Sequence, residues 1–175
     1  MDLLKRSNTK ILKGIHKMSK IAIINILLLG LILAITACGG QDSQQPVKAT
    51  WIKPQLSGET VSLPVSEVDN NKIVHFNVAV ATGGAMAFMA YEYDGKLNVR
   101  ANICPPCRSV GFSLAEDTLV CDTCLTTFES NTGEGISGAC VAYPKESVKY
   151  EISDGKVIMQ GNDLISAYES TQESG

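Results

Sequence analysis

Hydrophobic and polar residues alternate through much of the chain after residue 58. "ETVSLPV" (59–65) has period two. So has "KIVHFNVAV" (72–80), where Ile73, His75, Asn77 and Ala79 lie opposite Val74, Phe76, Val78 and Val80. "GGAMAFMAYEYDGKLNVRANI" (83–103) reads as two strands joined at Asp94-Gly95, a favoured hairpin dipeptide. "SVKYEISDGKVIMQG" (147–161) repeats that arrangement at Asp154-Gly155, and "GFSLAEDTLV" (111–120) reads as a third hairpin. "NDLISAYES" (162–170) predicts a short closing helix capped by Asn162 or Asp163. The expected fold is mainly β (α+β), a small β-barrel or sandwich with cysteine-bearing loops between an earlier and a later set of strands. Met86 and Met89, three apart in an apolar strand, read as core filling. His75 reads as a surface or core-edge histidine.

The first part of the chain has another pattern. Residues 21–37, "IAIINILLLGLILAITA", form an uncharged apolar run behind Lys5, Arg6, Lys10, Lys13, Lys17 and Lys20. A basic start, an apolar centre and small residues before a cut site describe a secretory signal. The run ends "ITACGG", which resembles a bacterial lipobox, so Cys38 is expected to carry a diacylglyceryl group as the mature N-terminus. Met18 is an alternative start. The competing reading is an uncleaved anchor, for which about 17 apolar residues is marginal against the roughly 20 that span a bilayer. Residues 39–58 hold Gly, Gln, Ser and Pro with little apolar periodicity and read as a tether. Trp51 within it packs on the domain or meets the lipid surface. The expected organisation is a signal peptide at 1–37, a lipidated flexible tether at 38–58 and a domain at 59–170. That places the domain on the extracytoplasmic face of the cell membrane.

Charge then narrows the function. The lead before Cys38 holds six of the 15 basic residues and one of the 18 acidic ones. Nine bases and seventeen acids remain, a net charge of −8. That argues against nucleic acid, which needs a basic footprint, and against gripping anionic lipid head groups. With only two histidines, no Ser/His/Asp set is evident, and no phosphate-binding Gly loop follows a strand. The chain reads as a non-catalytic redox or metal-binding protein more than as an enzyme.

Four of the six cysteines form two Cys-x-x-Cys pairs, Cys104/Cys107 and Cys121/Cys124, with thirteen residues between them. Such a turn brings two sulfurs to one side of a knuckle. Two facing knuckles make a tetrahedral four-sulfur set suited to structural zinc or an iron–sulfur centre. Two alternatives stay open. Exported cysteines are usually oxidised, but five cysteines remain after Cys38, so disulfide pairing leaves one over. A thioredoxin-type dithiol opens a helix, whereas "RSVGFS" after Cys107 is a poor helix start. Covalent haem needs His after the second Cys, where Arg108 and Leu125 stand. Cys140 lies in a loop made supple by Gly133, Gly135 and Gly138. It can replace a ligand, cap the site or be a buried thiol. Pro105 and Pro106 lack an N–H, so the first knuckle offers its sulfurs fewer donors than "CDTC". Fewer donors lower a reduction potential, and nearby Arg108 raises it.

"NICPPCRSVGFSLAEDTLVCDTCLTTFESNTGEGISGACVAYP" resembles the FtrD-like domain of bacterial membrane iron–sulfur-containing proteins. Its paired cysteines fall on Cys104, Cys107, Cys121 and Cys124, its Gly-aromatic pair on Gly111-Phe112, and its final loop on Gly138-Ala139-Cys140. The likeness covers roughly residues 59–166. It implies an iron–sulfur cluster, with zinc the alternative, at Cys104, Cys107, Cys121 and Cys124 with Cys140 as accessory. It also implies electron transfer or iron handling in association with iron uptake. Expected partners are the membrane through the lipid anchor, and a redox partner or an iron-transport permease. A distant similarity to Rieske domains, two metal-holding loops on a small β scaffold, is also implied. The alternative functions are a structural zinc-binding interaction module and a thiol–disulfide redox protein.

Overall fold

The computed structural model describes residues 45–80 and 83–173. The expected signal peptide, Cys38 and the start of the tether lie outside them. The two Asp-Gly hairpins form where the sequence places them, with left-handed φ at both turn residues: 51° and 68° at Asp94-Gly95, 50° and 70° at Asp154-Gly155. Gly is needed there because φ is positive, and Asp tolerates it through its short polar side chain. The first turn joins β6 (Ala85–Tyr93) to β7 (Lys96–Ala101). The second joins β12 (Tyr150–Ser153) to β13 (Lys156–Gln160). The third hairpin pairs β8 (Phe112–Ala115) with β9 (Thr118–Cys121).

These strands build three sheets. With β4 (Thr60–Pro64) and β5 (Ile73–Ala79), the middle sheet runs β2-β5-β6-β7 and the second β12-β13-β4-β3. Here β2 is Thr50–Ile52 and β3 is Gln55–Ser57. The third sheet runs β1-β8-β9-β10-β11, with β1 at Val47–Lys48, β10 at Thr127–Glu129 and β11 at Gly135–Ser137. Pairings are antiparallel except β2 with β5. The mainly β expectation is met, as a layered sandwich with two described helices.

The alternation in β5 and β6 is right, but both faces are buried. Val74, Phe76, Phe88 and Ala90 enter a core with Val61, Leu63, Val157 and Met159. Ile73, Met89 and Tyr91 enter a second core with Phe112, Leu119, Phe128 and the cysteines. His75 on the second face is buried, not at the surface, and its Nε2 has no hydrogen-bond partner among the described residues. Trp51 packs edge-on against its ring at 5.0 Å while staying 48% exposed.

One expectation needs correction, and one element has no reading in the sequence. Residues 47–57 are not a tether: β1 pairs with β8, β2 with β5 and β3 with β4. Edge pairing uses main-chain groups and leaves most of these side chains exposed, so no apolar periodicity is required. The stretch after Pro64 is a helix, α1 (Val65–Asn71), anchored by buried Val68 and ended by Lys72 at φ 67°. One buried side chain in seven residues leaves no helical period to read. The closing helix, α2 (Gly161–Glu173), is longer than expected; it buries Leu164, Ala167 and Thr171, and Tyr168 meets Phe88 at 5.9 Å.

Candidate metal centre

Both Cys-x-x-Cys segments fold into the same turn. Cys104 N–H donates to Ser109 O at 2.8 Å, and Cys121 N–H to Thr126 O at 2.9 Å, each across five residues. The residue after each second cysteine is left-handed: Arg108 at φ 57° and Leu125 at φ 59°. The turn therefore tolerates strain at two non-glycine residues in order to aim its sulfurs. The β8–β9 hairpin sets one knuckle opposite the other, and Asp122 N–H binds Gly111 O at 2.9 Å between them.

The four sulfurs converge across the knuckles. Cys104 Sγ lies 3.9 Å from Cys124 Sγ, and Cys107 Sγ lies 3.7 Å from Cys121 Sγ. All four lie within 4.8 Å of one another, and none is in a disulfide. Cys104 and Cys121 are buried; Cys107 and Cys124 are half-buried. The Gly-rich loop folds back over the second knuckle. Gly138 sits so close to Thr126 that a Cβ there would lie 2.6 Å from Thr126 Oγ1, which only glycine allows. Cys140 N–H then donates to Thr126 Oγ1 at 3.2 Å, and Cys140 Sγ reaches 3.7 Å from Cys124 Sγ.

The thiols are not equivalent. Burial pushes the Cys104 thiol far up, and hydrogen bonds with Cys140 and Cys107 push it the same way. Burial also raises Cys121, against N–H groups of Cys124 and Thr123. For Cys124, burial works upward but hydrogen bonds from the Thr126 hydroxyl and N–H outweigh it, bringing the thiol to about 6. The second knuckle thus supplies the donors that Pro105 and Pro106 deny the first.

Beneath the sulfurs lie residues that the sequence reading missed. Lys145 is fully buried; its Nζ donates to Ile103 O at 2.7 Å and stands over the rings of Phe128 (4.5 Å) and Phe112 (5.5 Å). Burial draws its ammonium down to about 8, against the cysteines around it. Arg100, also buried, binds the carbonyls of Thr132, Lys145 and Asn131 and the Tyr91 hydroxyl, pinning the Gly-rich loop. Among the described residues, neither cation has a carboxylate within ion-pair distance; the pair that forms is Lys48–Asp122, at 2.7 Å. Nothing in "AYPKESV" marks Lys145, whereas Thr126 has a signal in the repeated frame Cys-x-x-Cys-x-Ser/Thr.

Four soft thiols in two matched knuckles fit an iron–sulfur cofactor. Two buried cations without acids fit a site whose own ligands are anionic. The FtrD-like family, described as "Membrane iron-sulfur containing protein FtrD-like", matches residues 68–170. A ferredoxin of Sphingomonas yanoikuyae B1 is 23% identical over 48% of this chain and 83% of its own, with a TM-score of 0.39. A chain from the complex of reduced oxygenase and oxidised ferredoxin in carbazole 1,9a-dioxygenase is 18% identical over 60% of this chain and 95% of its own, with a TM-score of 0.48. No curated protein matches. With the family matching more than half of its length, and with four thiols gathered at one point, this chain belongs to the FtrD-like family of membrane iron–sulfur-containing proteins and carries an iron–sulfur cofactor.

Proposed function

We propose that Cys104, Cys107, Cys121 and Cys124 ligate the iron–sulfur cofactor, with Cys140 as accessory thiol, and that the domain transfers single electrons or handles iron at a membrane surface. The observation that carries this is the gathering of four free sulfurs within 4.8 Å. When bound, the cofactor supplies a one-electron couple. The protein's residues set its surroundings. Cys104 and Cys121 bury one side of the sulfur set, while Cys107 and Cys124 leave the other near solvent. Leu125, 71% exposed beside Cys124, supports an approach by a redox partner or a permease from that side. Cys38 would tether the domain to the extracytoplasmic face through lipid; the family's description as a membrane protein supports attachment. Among the described residues, no helix is long and apolar enough to cross a membrane.

The sulfur distances favour a second reading of the centre's size. Four sulfurs about 2.3 Å from one metal atom are about 3.8 Å apart, close to the 3.7 and 3.9 Å between knuckles. A single iron atom fits that spread without bridging sulfide. Anaerobically purified protein tests both readings. Visible absorption with iron and acid-labile sulfide supports a cluster, and iron without sulfide supports the single atom. A colourless protein holding zinc overturns iron. Unchanged metal content in Cys104→Ser and Cys121→Ser overturns the ligand assignment. Loss of fatty-acid labelling in Cys38→Ala is expected of the tether; labelling that persists overturns it.

A further inference from the structure

A buried ammonium is costly unless an anion or a full set of acceptors meets it. Lys145 has one carbonyl acceptor, Ile103 O, and two aromatic faces, but no carboxylate among the described residues. Its position is not slack. Its backbone N–H donates to Gly133 O at 2.8 Å, and its carbonyl accepts from Arg100 Nη1 at 2.8 Å. Gly133 is packed so tightly that a Cβ there would lie 2.2 Å from Lys145 O. The fold therefore fixes this residue at both ends and directs its charge under the first knuckle, at the carbonyl preceding Cys104. The groups placed to balance it, once metal-bound, are the sulfurs of the cysteines that share a core with Phe112 and Phe128, the two rings its Nζ stands over.

We propose that Lys145 is the internal counter-charge of the thiolate site. It is a positioning residue that holds the first knuckle through Ile103 and offsets the negative charge of metal-bound sulfur. This rests on the cysteines being the ligands, as proposed above. Two consequences follow from one cause. A positive charge beside thiolates favours their ionised, metal-bound form, so it tightens metal binding. It also favours the more negative, reduced state of a redox centre, so it raises the reduction potential. Without metal, the same charge has no full partner and weighs against the fold.

The test compares the full chain with Lys145→Met and Lys145→Gln, using cobalt(II) as the probe ion and anaerobic iron-loaded protein for voltammetry. Thiolate-to-cobalt charge-transfer absorption reports binding. Both variants are expected to bind cobalt about 10- to 100-fold more weakly, the range for loss of an outer-shell partner. Their midpoint potentials should shift negative. Metal-free Lys145→Met should unfold at or above the wild-type temperature, because a buried charge has been replaced by a thioether of similar length. Cobalt affinity within twofold of wild type with an unmoved midpoint overturns the proposal. So does equal destabilisation of metal-free and loaded protein, or metal-free variants that do not fold, since either makes Lys145 a core element. Wild-type protein that gives no charge-transfer band with cobalt overturns the ligand assignment itself, which is a distinguishable failure.

Discussion

Replacing Thr126 by Val keeps the side chain's shape and removes only its hydroxyl. That hydroxyl is fully buried, accepts Cys140 N–H at 3.2 Å and lies 3.2 Å from Cys124 Sγ. Toward a thiolate it is the donor. Val therefore orphans a buried N–H, at roughly 1–3 kcal/mol, and removes a hydrogen bond to a charged sulfur, worth roughly 1.5–3 kcal/mol. Loaded protein, and metal-free protein near neutral pH where Cys124 is already ionised, should both lose roughly 2.5 kcal/mol or more. Against a total stability of about 5–15 kcal/mol, that is readily measured. The assay is urea unfolding followed by circular dichroism, with and without metal, alongside Thr126→Ser. Serine retains the hydroxyl and should remain within about 1 kcal/mol of wild type. The midpoint potential of Thr126→Val should also fall, because a sulfur has lost a donor. A loss below about 1 kcal/mol in loaded Thr126→Val, or an equal loss in Thr126→Ser, refutes the assignment of both bonds to this hydroxyl.

Cys124, held at about 6, should be the first thiol alkylated by iodoacetamide in metal-free protein at pH 7, ahead of Cys104 and Cys121. Peptide mass spectrometry reads the order, and Cys104 reacting first contradicts it. His75 is lowered by burial to about 4, despite the pull of Asp122, so it is neutral in the fold. The unfolded chain takes up its proton below about 6.5. Its contribution is thus complete above that value and disappears as pH falls through about 4, by roughly 3 kcal/mol at most. His75→Phe should lack that part of the acid slope, and identical slopes in urea titrations refute the origin. Gly133→Ala, at φ 83°, would put a Cβ 2.2 Å from Lys145 O and 2.8 Å from Arg100 Nη1. It should cost about 3 kcal/mol or more, and a thermal midpoint within 2 °C of wild type would contradict the packing. Metal removal should speed hydrogen exchange across residues 104–140 while β4, β13 and Val68 stay protected, because their core contains none of the cysteines. Equal loss of protection in both cores would count against that separation.

The sequence made local chemistry legible. The three hairpins, the closing helix and the four-thiol set could be read because turn residues, alternation and Cys-x-x-Cys spacing act over a few residues. What it concealed depends on distance along the chain. Residues 47–52 look like tether because their partners, Ser113, Leu114 and Val74 among them, lie elsewhere in the sequence. His75 looks like a surface or core-edge residue because its face of β5 mixes polar and apolar side chains, yet β8 and Trp51 approach it. Lys145 and Arg100 look like ordinary surface charges. Their burial becomes meaningful only where the chain brings Arg100 to the carbonyl of Lys145 and Lys145 to the carbonyl before Cys104. The donor imbalance between the knuckles was legible, because proline lacks an N–H wherever it stands.

The middle sheet links these observations. Its alternation serves two cores at once, with Phe88 and Ala90 facing one and Met89 and Tyr91 the other. The first core is aliphatic and aromatic, is joined by both helices, and contributes through hydrophobic burial. The second contains five cysteines and is bordered by Lys145 and Arg100, groups that burial alone disfavours. Tyr91 joins the two demands: its ring fills the second core, its hydroxyl donates to Ser130 O at 2.7 Å and accepts from Arg100 Nε at 2.8 Å. Arg100 in turn holds the carbonyl of Lys145. A single strand pair thus places the cation under the sulfurs from the face opposite the hydrophobic core. The division keeps the cysteines and the buried cations on one face of the sheet and the purely apolar packing on the other.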